Sequence, residues 1–285
     1  MTGIPEEVST WLKNQGYGFP TSLRNVSGGC IHHSLQVETE SGQSFFLKTN
    51  PRAPRDMFPA EAEGLRKIKV EGGPKVPEVL LAADRFLLLE DLQPGPEKPT
   101  YWIEFGGQLA ALHNHTSEDF GYEIDNYIGS TPQVNSLEEN GWSFFARHRL
   151  QYQGRLALER GYLETAEFDQ LVRICEKLPD LIPDQPASLL HGDLWSGNLM
   201  TDKNGSPAVI DPAVYFGWAE ADLAMTDLFG SFPEEFYSSY QSVRDLEAGF
   251  RERYPIYNLY HLLNHLNLFG KGYYSRVTQV LKKYS

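Results

Sequence analysis

Between residues 90 and 99 the chain reads Glu-Asp-Leu-Gln-Pro-Gly-Pro-Glu-Lys-Pro, and neither a sheet nor a helix continues through that density of proline and glycine. The break separates two kinds of pattern. Upstream, segments 23–26, 35–38 and 44–48 are short and rich in β-branched and aromatic residues, with Glu40-Ser41-Gly42 as a turn, so they are expected to form a meander. Residues 56–70 then carry Phe58, Ala62, Leu65 and Ile68 at helical spacing, with Asp56 as the expected N-cap and Pro59 in the first turn. Two further strands are expected at 79–82 and 85–89. Downstream, helical spacing takes over at 101–113 behind Thr100 as N-cap, and again at 142–160, 165–178, 219–228 and 256–270. The expectation is an α+β fold in two lobes. Residues 1–92 form an N-terminal lobe with a five-stranded antiparallel sheet and helices, and residues 93–285 form a mostly α-helical C-terminal lobe.

Composition narrows the function. The 285 residues are 41% hydrophobic, but no apolar run approaches the ~18 residues of a membrane span. Lys and Arg number 25 against 38 Asp and Glu, and a net charge of −13 repels polyphosphate, so no nucleic-acid partner is expected. Cys30 and Cys175 alone cannot build a disulfide framework or a cysteine-rich zinc site. The first eleven residues hold Glu6 and Glu7 and lack the basic and apolar regions of a secretory signal, so a cytoplasmic location is expected.

The segment 189–211 carries the chemistry. Two apolar runs, Leu-Leu and Ala-Val-Ile, each lead to a polar group-rich stretch, His191-Gly192-Asp193-Leu194-Trp195-Ser196-Gly197-Asn198 and then Asp211. Asp193 and Asn198 are separated by four residues, and Asp211 follows thirteen positions later, the spacing of the catalytic loop and downstream metal-binding Asp of kinase-like phosphotransferases. An Asp beside an acceptor hydroxyl can orient it and take its proton. An amide oxygen and a carboxylate are hard ligands for Mg²⁺ bridging nucleotide phosphates. Taken alone, Asp193 and Asn198 are also what a turn cap and its backbone partner look like. Three upstream elements favour the catalytic reading: Gly28-Gly29 between the first two strands, Lys48 at the end of the third, and Glu61 in the following helix as a partner for that lysine, with Glu63 as the competing candidate.

These residues, together with Trp-Ser-Phe-Phe-Ala-Arg-His-Arg-Leu at 142–150 and Asp211-Pro212-Ala213, resemble the fructosamine-3-kinase (ketosamine-3-kinase) family of the aminoglycoside-phosphotransferase group, a protein-kinase-like fold. The resemblance spans nearly the whole chain. It implies phosphorylation by ATP, with Mg²⁺, of the sugar 3-hydroxyl of ribulosamine, erythrulosamine or fructosamine adducts, whose unstable 3-phosphates release the amine. By position it implies Asp193 as catalytic base, Asn198 and Asp211 as magnesium ligands, and Lys48 with Glu61 at the ATP phosphates beside Gly28 and Gly29. It also implies a hinge at Glu90, Asp91 and Leu92 offering backbone groups to adenine, and His191 as a brace for the loop.

Only a short interval separates Asp211 from the helix expected at Ala219, too little for a long peptide-docking loop, so a small or adduct-borne hydroxyl is the expected acceptor. Asp222 is read either as a support for the catalytic loop or as an exposed acid. Trp195 and Trp218 are either an aromatic wall for substrate or core residues. Arg147 and Arg149 are read as structural ion pairs, and His113 and His115 as structural because i and i+2 face different ways on a helix. Cys30, beside the glycine pair, is a candidate redox thiol, giving either a monomer or a Cys30-linked dimer, against the alternative of a small residue filling a strand. Three functions are carried forward: the ketosamine kinase, a related aminoglycoside or choline kinase, and a nucleotide-binding pseudokinase.

Overall fold

The computed structural model describes residues 4–26 and 32–285, so the expectations for Gly28, Gly29 and Cys30 lie outside the described residues. Strands β1 (Pro20–Asn25), β2 (His33–Thr39), β3 (Ser44–Thr49), β4 (Val79–Ala83) and β5 (Phe86–Glu90) form one antiparallel sheet in the order β1-β2-β3-β5-β4. The first three are the expected meander. The last two swap places because 86–89 is Phe-Leu-Leu-Leu, buried on both faces and suited to the interior of a sheet, while β4 is only half-buried and takes the edge.

Period-two alternation sorts these strands onto two faces. Phe45, Leu47, Phe86 and Leu88 pack with Val8 and Leu12 of helix α1 (Glu6–Asn14). Leu87 and Leu89 turn the other way, toward helix α2 (Met57–Lys67), whose Phe58, Ala62 and Leu65 are fully buried, as is Ile68 just beyond it. The same alternation sends Phe46 and Lys48 of β3 to that second face, opposite Leu89 and Leu87. Asp56 does not cap α2: its own backbone is already helical, and its Oδ1 accepts from Tyr127 Oη at 2.8 Å. Thr100 likewise sends its hydroxyl to Glu104 Oε1 at 2.6 Å rather than to the helix backbone.

The helical lobe comprises α3 (Tyr101–His113), α4 (Gly141–Phe144), α5 (Tyr152–Glu159), α6 (Thr165–Leu181), α7 (Ala219–Leu228), α8 (Glu234–Val243), α9 (Phe250–Phe269) and α10 (Tyr274–Tyr284). The lobe also holds short strands β6 (Thr116–Ser117), β7 (Asn126–Ile128), β8 (Thr131–Gln133), β9 (Ala187–Leu190), β10 (Leu199–Thr201), β11 (Pro207–Val209) and β12 (Tyr215–Gly217). A single helix over 142–160 is not what forms: a π-helical stretch, Phe145–Gln151, joins α4 to α5. It carries Arg149, fully buried and without the expected carboxylate. The guanidinium instead donates to Val134 O and Asn135 Oδ1, both at 2.7 Å, and stacks 4.0 Å from the Tyr215 ring centroid. Arg147 keeps its ion pair, with Glu138 at 3.5 Å.

The proline-rich connector lies against the β10–β11 turn. Gly95 N donates to Asp202 O at 3.0 Å and Lys98 N to Gly205 O at 3.1 Å. Gly205 has φ +77°, and a Cβ there would fall 2.0 Å from Pro96 O, so only glycine allows this approach. One large apolar cluster runs from α2 through the helical lobe, so the change of secondary structure near residue 92 is not a break in the core.

Two buried histidines make stability pH-dependent. His261 is pushed down to about 3 by burial, and burial also lowers His113. In the unfolded chain each takes a proton below about pH 6.5, while the folded protein keeps them neutral, so stability is complete above 6.5 and declines toward pH 3. The His261 contribution is on the order of 5 kcal/mol at full effect. Melting temperatures measured from pH 8 to pH 4 should fall most steeply below 6.5, and His261→Gln should flatten that slope.

Candidate active site

Strand β9 is wholly buried, and the chain leaves it directly into the loop 191–198. Asp222, at the start of α7 and 2% exposed, accepts from His191 N at 2.7 Å, Gly192 N at 2.9 Å and His113 Nε2 at 3.2 Å. Despite its burial, these donors hold its carboxyl below the ordinary range. Of the two readings of Asp222, the loop support is the one realised. His113, held on its other side by Tyr240 Oη at 2.8 Å, is structural as expected.

The loop is laced to the segment that follows β11. His191 Nε2 pairs with Ile210 O at 2.9 Å, Ile210 N donates to Asn198 O at 3.0 Å, and Ala213 N donates to His191 O at 2.8 Å. Gly192, with φ +83°, would place a Cβ 2.0 Å from Ala213 O. The glycine is therefore what lets the two segments approach, and His191 braces the loop. Asn198 is buried and donates through Nδ2 to Asp193 O at 2.8 Å and to Asp193 Oδ2 at 3.2 Å. Burial pushes the Asp193 carboxyl up to about 7, the charge of Asp211 adds to this, and the Asn198 amide opposes it. Asp211 itself has φ +56°, a strained backbone for a residue with a side chain.

Lys48, 5% exposed, donates through Nζ to Glu61 Oε1 at 2.6 Å and to Asp211 Oδ1. The two carboxylates outweigh burial and raise its pKa, so the ammonium stays charged. Glu63 points elsewhere and pairs with Arg66 at 3.4 Å on the exposed face of α2. The lysine partner is Glu61.

Two cavities meet at Lys48 and Asp211. The inner one is mostly apolar, lined by Phe46, Pro77, Leu89, Leu92 and Met200 among others, and suits an aromatic base. Glu90 also borders it, but its carboxylate is engaged by Lys75 Nζ at 3.0 Å and Glu78 N at 3.2 Å. Asp91 is turned to Gln36 Nε2 at 2.7 Å and Gln93 N at 3.1 Å. The outer cavity holds Asp193, Asn198 and Trp195. It also takes in His32, the β7–β8 hairpin at Asn126 to Gly129, and the end of α9 at His265 and Phe269. Sequence reasoning missed these last three. His32 had a local cue, its position just after the glycine pair, whereas the hairpin and α9 are brought in only by tertiary packing. Trp218 is not part of this wall: it is 3% exposed and packed among Phe120, Phe145 and Tyr257.

Among the described residues no group of three or more His, Cys, Asp or Glu gathers to cage a metal. Asn198 and Asp211 fit instead a hard divalent ion that takes the rest of its shell from phosphates and water. Because Nδ2 of Asn198 is spent on Asp193, the amide oxygen is the atom it could offer to such an ion.

The model of the family described as fructosamine kinase matches residues 6–285. The chain belongs to the fructosamine kinase family. A protein of Synechocystis sp. named as a probable ketoamine kinase is 42% identical over 91% of this chain and 89% of its own. The chloroplastic protein-ribulosamine 3-kinase of Arabidopsis thaliana is 37% identical over 100% of this chain and 89% of its own. A crystal structure from Thermobifida fusca, named for fructosamine-3-kinase, superposes with TM-score 0.89 at 32% identity, covering 98% of each chain. The fold is therefore the bilobal protein-kinase-like one, and the family member is a kinase that uses ATP.

The lysine pair gives a direct test. Glu61→Gln should weaken binding of a non-hydrolysable ATP analogue about tenfold, measured by calorimetry, while Glu63→Gln should leave it unchanged.

Proposed function

We propose that this family member is an ATP-dependent ketosamine kinase, phosphorylating the sugar 3-hydroxyl of ribulosamine or fructosamine adducts. Residues 1–92 serve as its nucleotide lobe and 93–285 as its catalytic and acceptor lobe. The reading is supported above all by one observation: Lys48, Asp193, Asn198 and Asp211, from β3, the loop after β9 and the turn after β11, line a single cleft next to an apolar slot. A pseudokinase has no use for that set.

In this reading adenine enters the apolar slot against Phe46, Leu89 and Met200, meeting the backbone near Leu92. Lys48, fixed by Glu61, reaches the α- and β-phosphates. Asn198 Oδ1 and Asp211 would hold Mg²⁺, which would supply positive charge against that of the nucleotide phosphates. Asp193 sits where it can accept the proton of the sugar 3-hydroxyl, and Asn198 Nδ2 keeps that carboxylate oriented toward the incoming hydroxyl. Trp195 walls the acceptor side. The interval from Asp211 to α7 is filled by β12, which pairs with β9, so no free segment remains there to dock a peptide as extended chain. An adduct-borne hydroxyl reaching in from solvent suits this shape.

Asp193→Asn should reduce kcat by about 10³-fold, while the Kd for Mg·ATP changes less than about threefold, because the base acts on the acceptor and not on the nucleotide. Near-normal turnover in this variant would remove Asp193 from the role. Substrate class is settled by ADP release measured against ribulose-lysine, fructose-lysine, kanamycin and choline. Turnover is expected on the two ketosamines, followed by appearance of free lysine, and turnover confined to kanamycin or choline would replace the reading.

A further inference from the structure

None of the residues 142–150, the run Trp-Ser-Phe-Phe-Ala-Arg-His-Arg-Leu, lines either cavity at Lys48 and Asp211. Yet this run carries an arrangement that stability alone does not explain. Residues Phe145–Gln151 are π-helical, a form that is rare and recurs at functional sites. Arg149 within it is fully buried and, among the described residues, pairs with carbonyl and amide oxygens and with no carboxylate. Taking a lone cation out of water costs several kcal/mol, a cost that an apolar side chain of the same volume would avoid.

Besides His148 O on its own helix at 3.1 Å, the guanidinium reaches the residues that follow β8: Nη1 donates to Val134 O and Nη2 to Asn135 Oδ1. Its plane is held by the Phe144, Tyr215 and Tyr260 rings, whose centroids lie 4.6, 4.0 and 5.5 Å from Cζ. From Asn135 the contacts run on toward the cleft. Asn135 Nδ2 donates to Asn126 Oδ1 at 3.1 Å, and Gln133 Nε2 donates to the same oxygen at 2.7 Å. With both lone pairs of that oxygen taken, the Asn126 amide has one orientation. Its Nδ2 donates to Val214 O at 2.8 Å, and Gln133 Nε2 to Ala213 O at 3.0 Å. Tyr260 Oη completes the set on Gln133 Oε1 at 2.6 Å. All three amides are buried, so these bonds form without competition from water. The β7–β8 hairpin is thereby pinned between the π-helical arginine and the segment after Asp211, and its residues 126–129 form a wall of the outer cavity.

Resting on the ketosamine reading above, we propose that Arg149 is a positioning residue for the acceptor: through Asn135 it fixes the Asn126 amide, and with it the hairpin wall against which the substrate is held. The arrangement requires arginine. The two Nη groups of a guanidinium point in fixed directions, so one side chain serves a carbonyl and an amide oxygen at once while its flat face stays on Tyr215. A lysine keeps the charge, but its ammonium cannot lie flat on that ring while donating both ways. The nucleotide side is held separately, by the bonds of His191 to Ile210 and Ala213 and by Lys48 on Asp211, none of which involves Arg149. Loss of the fork therefore displaces the acceptor wall and leaves the groups facing the nucleotide in place.

The test is steady-state kinetics on whichever of ribulose-lysine and fructose-lysine the wild-type protein turns over faster, paired with calorimetry of a non-hydrolysable Mg·ATP analogue. Arg149→Lys should raise the ketosamine KM about tenfold, with kcat within about threefold and the Kd of the analogue unchanged. Asn135→Asp is the sharper variant. It supplies the carboxylate that Arg149 lacks, which supports the fold, but sets an oxygen against Asn126 Oδ1 in place of a donor, and KM should rise by a similar factor. Combining the two should raise KM no further than the larger single change, since both break one chain of bonds. Arg147→Gln, at an exposed position of the same stretch, should keep wild-type kinetics. Thermal melting identifies the folded variants: a purely structural arginine predicts a lower melting temperature in Arg149→Lys with wild-type KM in both single variants. Wild-type KM in either folded variant, additive rises in the double variant, or an analogue Kd that rises together with KM overturns the positioning role and leaves the ketosamine reading standing. Absence of wild-type turnover on both ketosamines overturns the two together.

Discussion

A single buried carboxylate fixes the loop on which the chemistry depends. Asp222 takes the backbone N–H groups of two consecutive residues, His191 and Gly192, and the imidazole of His113, and all four groups are removed from water. Each donor left unpaired at such depth costs about 1–3 kcal/mol, so the arrangement tolerates no substitute of different shape. The start of α7 is thereby joined to the end of β9. With the loop entry fixed, His191 can reach Ile210 and receive Ala213, which brings the turn bearing Asp211 alongside. The strained backbone at Asp211 persists because its neighbours on both sides are held.

The second constraint is electrostatic. Asp193, Asp211 and Glu61 share a cleft in which Lys48 balances two of them, while burial, with the charge of Asp211 adding to it, raises the pKa of Asp193. Such a site is unfavourable when empty and becomes favourable as cations arrive. A nucleotide-bound metal ion supplies one, and the ammonium of a ketosamine supplies another. The net charge of −13 extends the same preference over the surface, drawing cationic adducts toward the cleft.

Most of what lies within one element or one loop was legible in the sequence. The alternation of Phe45, Phe46, Leu47 and Lys48 already assigns lysine to the face opposite α1, and the octapeptide at 191–198 places acid and amide on one loop. What was not legible depends on partners far along the chain. The exchange of β4 and β5 is decided by which strand can be buried on both sides. Asp56 and Thr100 looked like helix caps, but a tyrosine and a glutamate claim their oxygens. Arg149 pairs with carbonyls and rings rather than with an acid, because the π-helical stretch carries it into a core lined by Tyr215 and Tyr260. Trp195 and Trp218 were indistinguishable by type, and only packing separates the exposed one from the buried one.

This split between local and distant information coincides with a split in function. The groups proposed to handle phosphate are concentrated between β9 and α7, plus one strand and one helix upstream, and each is legible from its own segment. The other walls of the outer cavity come from the β7–β8 hairpin and the end of α9, which share no sequence pattern and meet only in the folded lobe. Phosphate chemistry requires one geometry, so its residues cannot vary independently. None of the donors to Asp222 lies on those walls, so they can change without disturbing the loop it holds. The walls of the cavity that are free to vary are therefore separate from the residues that the loop fixes.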